Sequence, residues 1–131
     1  RDPETLLAQA RVALRRQISR MYAQDGKIPV LTLGSALERE LHEALEASGT
    51  GTDLALPAPR VQAFYRAVAS QVERAASRGQ QAVLLVPPRL RRAIRRLLER
   101  ALPQVPVLAF NEISPEVQVR SVGTVEMSDA D

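Results

Sequence analysis

The chain contains no cysteine and no tryptophan, and its 131 residues include only two phenylalanines, two tyrosines and one histidine. Without cysteine there is no disulfide, no thiolate zinc site and no cysteine nucleophile. The absence also suits a reducing compartment. With so few aromatics the core must be aliphatic, and the 45% hydrophobic content can supply one. No stretch approaches ~18 consecutive apolar residues, so nothing reads as a membrane span. No basic-then-apolar signal opens the chain. It does not begin with Met, and Arg1-Asp2-Pro3 runs straight into a helix start. It therefore reads as a piece cut from a longer protein.

Lysine is almost missing as well. Lys27 stands alone beside seventeen arginines, and fifteen acidic residues bring the net charge to only +3. An arginine preference of this kind reads as codon bias in a GC-rich genome rather than as a strong basic excess. The length allows one compact domain, or one domain plus part of another.

Asp2-Pro3-Glu4 is a helix start: an N-cap, proline at the first helical position, and an acid in the first turn. Leu7, Ala10, Leu14, Ile18 and Met21 then share one face, predicting a helix over 4–24 that Asp25-Gly26 ends. The run 28–33, "IPVLTL", reads as a strand, with Pro29 suited to its first residues or to a sheet edge. Ser35 and Glu38 have the spacing of a capping box for a helix over 35–47, whose apolar face is Leu37, Leu41, Ala44 and Leu45. Residues 47–59 read as a loop. Gly49 and Gly51 within it lack the Lys-Ser/Thr and the preceding strand of a phosphate loop.

A third helix is expected over 60–78, with Val61, Phe64, Tyr65, Val68 and Val72 on one side. The continuous apolar run 81–86 reads as a strand buried on both faces. Residues 88–101 read as a helix, and 105–110 and 117–125 as strands. The closing "EMSDAD" is expected to fray. The order from 28 onward is β-α-α-β-α-β-β. It predicts an α/β (α+β) fold with a small sheet of about four strands. A βαβ unit over 81–110 is flanked by helices, and a helix from a neighbouring subdomain precedes the whole.

The helix over 88–101 carries six arginines in twelve positions. On a helical wheel Leu90, Ile94, Leu97, Leu98 and Ala101 gather on one side. Arg89, Arg92, Arg95, Arg96 and Arg100 fall opposite or on the flanks, and Arg91 sits at the border. The apolar stripe is expected to cover the sheet and the arginines to face solvent, so that Leu97→Asp would unfold the domain. The outer face then admits three readings: a solvated surface, a site for an acidic protein partner, or a non-specific grip on nucleic acid. Aromatics to stack bases are too few, and no zinc knuckle, RNP-type motif or KH-type loop occurs. Binding to phosphates would show as steep salt dependence.

Catalysis is not expected. His42 lies on the polar side of its helix as a spectator. Glu38, Glu40, Glu43 and Glu46 solvate that face and lack partners to hold a metal. No Gly-Xaa-Ser-Xaa-Gly turn and no Gly-Xaa-Gly-Xaa-Xaa-Gly after a strand is present. No cofactor and no metal site is predicted.

Taken in order, several segments resemble the C-terminal end of the type III secretion export-gate proteins, the FlhA/SctV family. They are "ALRRQISRMY", "IPVLTLGSALERELHEAL", "LALPAPRVQAFYRAV", "GQQAVLLVPPRLRRAIRRLLERALPQVPVLAFNEI" and "SPEVQVRSVGTVEM". The resemblance covers nearly the whole chain. Single pieces are weakly specific, and their order and spacing carry the likeness. The family has flagellar and injectisome members, and the general character of the sequence favours an injectisome, hence virulence, member.

The resemblance implies that 25–131 is the last α/β subdomain of a large cytoplasmic domain that follows a membrane domain. Residues 1–24 would be the final helix of the preceding helical subdomain. Such domains form a nonameric ring on the cytoplasmic side of the bacterial inner membrane. The implied function is a non-catalytic docking subdomain that helps receive the stalk protein of the secretion ATPase, export chaperones and export substrates. Neighbouring subunits of the ring are further partners. The resemblance implies no contact with nucleic acid, and no membrane contact by this piece, which alone is expected to be a monomer. The alternative is a small Arg-rich nucleic-acid-binding domain.

Overall fold

In a computed structural model the described residues are 2–128. They form an α/β unit whose strands are all parallel. The elements are α1 (Pro3–Ala13), α2 (Arg15–Tyr22), β1 (Lys27–Leu33), α3 (Ser35–Ser48) and α4 (Ala58–Ala76), followed by β2 (Val83–Val86), α5 (Pro88–Leu98), β3 (Val107–Ala109) and β4 (Gln118–Val125). The sheet order is β3-β2-β1-β4. The expected α/β fold with four strands is what the structure shows, including the strand-helix-strand unit β2-α5-β3 with β2 and β3 parallel.

Two apolar layers sandwich the sheet. On one face α3, α4 and α5 bring Leu37, Leu41, Phe64, Val68, Leu90, Ile94 and Leu98 against Leu31, Leu84, Val86 and Val107. On the other, Ile28, Val30, Val83, Leu85 and Leu108 are covered by Ile18 and Tyr22 of α2 and by Ile113 and Val117. Covering both faces explains why β2 reads as an unbroken apolar run. Pro29 sits in an inner strand, but pairing of β1 with β2 begins only at Val30.

Three sequence expectations need correction. The single helix over 4–24 is kinked at Leu14, which is the C-cap of α1 and the N-cap of α2. Backbone bonds still enter and leave Leu14, so the chain bends rather than breaks. Leu7, Leu14 and Met21 of its supposed buried face are exposed. Ser35 does not cap α3: the cap is Gly34, without a side-chain bond. The Gly34 N–H donates instead to the Val125 carbonyl at 2.9 Å, and Glu38 stands 3.7 Å from His42. Leu97 is only half-buried and Ala101 is exposed, because α5 ends at Leu98 and a turn carries Ala101 off the stripe, while Ala93 is buried. From Glu126 to Ser128 the tail carries no regular structure, and Arg60 donates to the Ser128 carbonyl at 2.9 Å. Its remaining residues, 129–131, lie outside the described residues, as does Arg1.

The winding of the sheet reverses at β1, and open α/β sheets bind ligands outside the carboxyl ends of the strands at such a point. Here β1 ends at Leu33 and α3 begins at Ser35. Glu126, just after β4, lies against Gly34, so close that a β-carbon there would sit 2.7 Å from Glu126 Cγ.

On the same strand, Gly123 faces Gln71 of α4 and the Leu31 side chain, which a β-carbon would meet at 3.0 Å. Gly123→Val is expected to cost about 1–3 kcal/mol through overpacking, read as a lower urea midpoint. An unchanged midpoint would mean that α4 and β4 have room to spread.

Candidate docking surface

Pro88 at the first position starts α5. Leu90, Ala93, Ile94 and Leu98 pin it to the sheet. Its other faces carry the six arginines, and the structure divides them into three groups.

Arg91 and Arg95 turn inward, which corrects the expectation that Arg95 faces solvent. Both are less than a fifth exposed. Arg95 donates to the carbonyls of Val105 and Leu102 and faces Glu99 at 3.6 Å, tying the end of α5 to the turn that follows. Arg91 donates to the Val107 carbonyl at 3.2 Å and stands 3.3 Å from Glu112. Burial pushes the Arg91 guanidinium down from its ordinary value, and the Glu112 charge opposes that push. Arginine remains a cation throughout.

Arg92 is bound to the N-terminal helix, 3.2 Å from Glu4 and 3.9 Å from Asp2. Arg89, Arg96 and Arg100 are the outward group. Arg89 reaches Glu46 at 3.1 Å, and Arg96, 66% exposed, stands 3.6 Å from Asp53. Arg100 is exposed and has no carboxylate within ion-pair distance among the described residues.

Five of the six arginines therefore stand against carboxylates of this same chain: Asp2, Glu4, Glu46, Asp53, Glu99 and Glu112. A phosphate-binding face needs uncompensated charge. This face is largely compensated, which disfavours the nucleic-acid reading.

Glu112 is the residue that sequence reasoning passed over. It is buried in the 3-10 turn Phe110–Glu112. Arg11 of α1 holds it at 2.6 and 3.2 Å, Arg91 of α5 stands on its other side, and the Ala109 N–H donates to it at 2.8 Å. One carboxylate thus ties α1, α5 and the end of β3 together. A second tie is buried nearby, where the Ser114 N–H donates to Ser19 Oγ of α2 at 2.8 Å. The sequence signal available was the acid of "FNEI", the end of one of the segments that carry the resemblance.

His42 is partly exposed beside Glu38. Among the described residues no three acidic or histidine side chains converge as a metal site would require. No helix among them is long and apolar enough to cross a membrane.

A model of the FHIPEP family matches residues 1–118. The flagellar biosynthesis protein FlhA of Caulobacter vibrioides is 39% identical over 121 residues, covering 92% of this chain and 17% of that protein. The chain therefore spans about a sixth of the length of this relative. Among solved structures, nonameric SctV-C from EPEC superposes with a TM-score of 0.76 at 28% identity, covering 95% of this chain and 37% of that one. The Chlamydia pneumoniae complex of CdsV with CdsO gives 0.78 at 26% identity, covering 96% and 38%. Flagellar and secretion-system proteins are thus both matched.

Proposed function

Because the chain belongs to the FHIPEP family, we propose that it is a docking subdomain in the cytoplasmic ring of a type III secretion export gate and carries no chemistry of its own. Its place would be the cytoplasmic side of the bacterial inner membrane. The stalk protein of the secretion ATPase is the first partner proposed, with export chaperones and substrates and neighbouring ring subunits beside it. The solved complex of CdsV with CdsO supports a protein partner for this fold, and the nonameric SctV-C structure supports a ring.

The observation that carries the reading is the outward arginine group of α5. Arg89, Arg96 and Arg100 remain presented after the interior has taken Arg91 and Arg95 and after α1 has taken Arg92. The five arginines expected from the sequence to face outward, Arg89, Arg92, Arg95, Arg96 and Arg100, narrow accordingly to these three as contact residues. Arg92 and Arg95 become supports of the surface.

The division at residues 24 and 25 is proposed on the same footing. Helix α1 buries none of its residues and exposes Leu6 and Leu7, as a helix shared with a preceding subdomain would. Helix α2, by contrast, lies on the second face of the sheet through Ile18 and Tyr22.

The test is a double charge reversal, Arg96→Glu with Arg100→Glu, in the full-length gate. Both side chains are exposed, so the fold should be unaffected. Affinity for the stalk protein is expected to fall about tenfold, mostly through slower association and with weaker salt dependence, and secretion should fall with it. Unchanged binding and unchanged secretion would mean that this face is merely solvated.

A further inference from the structure

We propose that Asp53 is an internal placeholder, a carboxylate that holds the partner-binding Arg96 of α5 until a partner's acidic side chain replaces it. This deepens the docking reading and rests on it.

Beside the outward arginines runs a cleft of about 200 Å³ between α5 and the loop after α3. Thr52, Asp53, Arg96 and Arg100 give it a mostly polar lining, and the half-buried Leu54 and Leu97 supply its apolar part. Asp53 stands at one corner, and its two oxygens do different work. Oδ2 accepts from the hydroxyls of Thr50 at 3.0 Å and Thr52 at 3.3 Å, which fixes the loop. Oδ1 is offered to Arg96 at 3.6 Å, and the Arg96 guanidinium also donates to Thr52 Oγ1 at 3.4 Å.

Both contacts to Arg96 are long. An exposed pair of this kind contributes little and exchanges readily. Arg100 on the same rim has no acid of its own chain within reach. The cleft therefore combines two half-buried leucines, one weakly satisfied cation and one cation without an acid of its own chain. That chemistry fits an acidic segment of a partner protein with a carboxylate beside an apolar side chain, the apolar group entering over Leu54 and Leu97. The partner's carboxylate would take Arg96 from Asp53 and bridge to Arg100. The loop can give way without unfolding, because its own hydroxyl bonds to Oδ2 do not depend on Arg96.

The experiment is a double-mutant cycle on the chain, with the stalk protein of the same secretion system as probe, titrated calorimetrically at ~50 mM salt. Asp53→Asn keeps an acceptor for the loop hydroxyls and withdraws the charge from Arg96. It should tighten binding about three- to fivefold, the range an exposed ion pair allows. In an Arg96→Gln background the same change should bring no gain. Glu116→Gln removes the partner of Arg16 on α2, away from α5, and should change affinity by less than about twofold. Equal gains from Asp53→Asn with and without Arg96 would make the effect a general field, and the placeholder is then wrong. An unchanged affinity in Asp53→Asn alone would overturn it too, while leaving the docking reading standing. Failure of the unaltered chain to bind the stalk protein at all would remove both.

Discussion

Replacing Glu112 by alanine is expected to lower the stability of the chain by about 2–3 kcal/mol and its melting midpoint by about 10 °C. The carboxylate is 3% exposed and stands between Arg11 and Arg91. Its removal leaves two cations facing each other across a small cavity and strips the Ala109 N–H of its acceptor. A fully buried charge left alone would cost more. Arg11 and Arg91 are 25% and 19% exposed, so both can reach some water, and the expected loss sits below the range for a sealed site.

The loss should also be local. Helix α1 buries no residue of its own and depends on Arg11–Glu112 and on the Glu4–Arg92 pair to stay against α5. Amide exchange should therefore rise across Pro3–Ala13 far more than in α4 or β1. Glu112→Gln, which can still accept from Ala109 and Arg11, should recover part of the loss. A midpoint within about 2 °C of the unaltered chain, with α1 as protected as before, would show that the clamp holds nothing.

Leu98→Asp is expected to abolish cooperative folding. Leu98 is fully buried on the face of α5 that meets the sheet, in one cluster with Phe64, Leu90 and Ile94. Truncating a leucine in such a place costs about 2–5 kcal/mol. Adding a charge with no buried partner raises the cost further, against a total stability of about 5–15 kcal/mol for a domain. The neighbouring Leu97→Asp separates the faces of the helix. Leu97 is half-buried at the rim of the cleft by Leu54 and Arg100, where an aspartate can turn to water or to the guanidinium. That variant should fold, with a loss of about 1–2 kcal/mol. Thermal melts of the two variants, read by circular dichroism, decide the matter. Unfolding by Leu97→Asp with tolerance of Leu98→Asp would mean that α5 is rotated from the orientation described.

Much of the arrangement was legible in the residues. Apolar spacing located α3 and α4, and the unbroken run "VLLV" with Pro87-Pro88 after it located the inner strand and the start of α5, whereas α1 and α2 read as one helix. The ordered segments pointed to the family. The wheel of α5 found Leu90, Ile94 and Leu98 correctly and erred at its margins, for Leu97 and Ala101. A wheel extends one axis past the point where the chain leaves it.

The sequence by itself determined the elements, their order and the stripe by which α5 meets the sheet, because these follow from contacts between residues three or four apart. Only the tertiary structure decided which arginines remain available. That choice rests on carboxylates remote in the chain: Glu4 for Arg92, Glu46 for Arg89, Asp53 for Arg96 and Glu112 for both Arg11 and Arg91. Charge acts through space rather than along the helix, and the partner of each cation is set by which loop the fold brings past it.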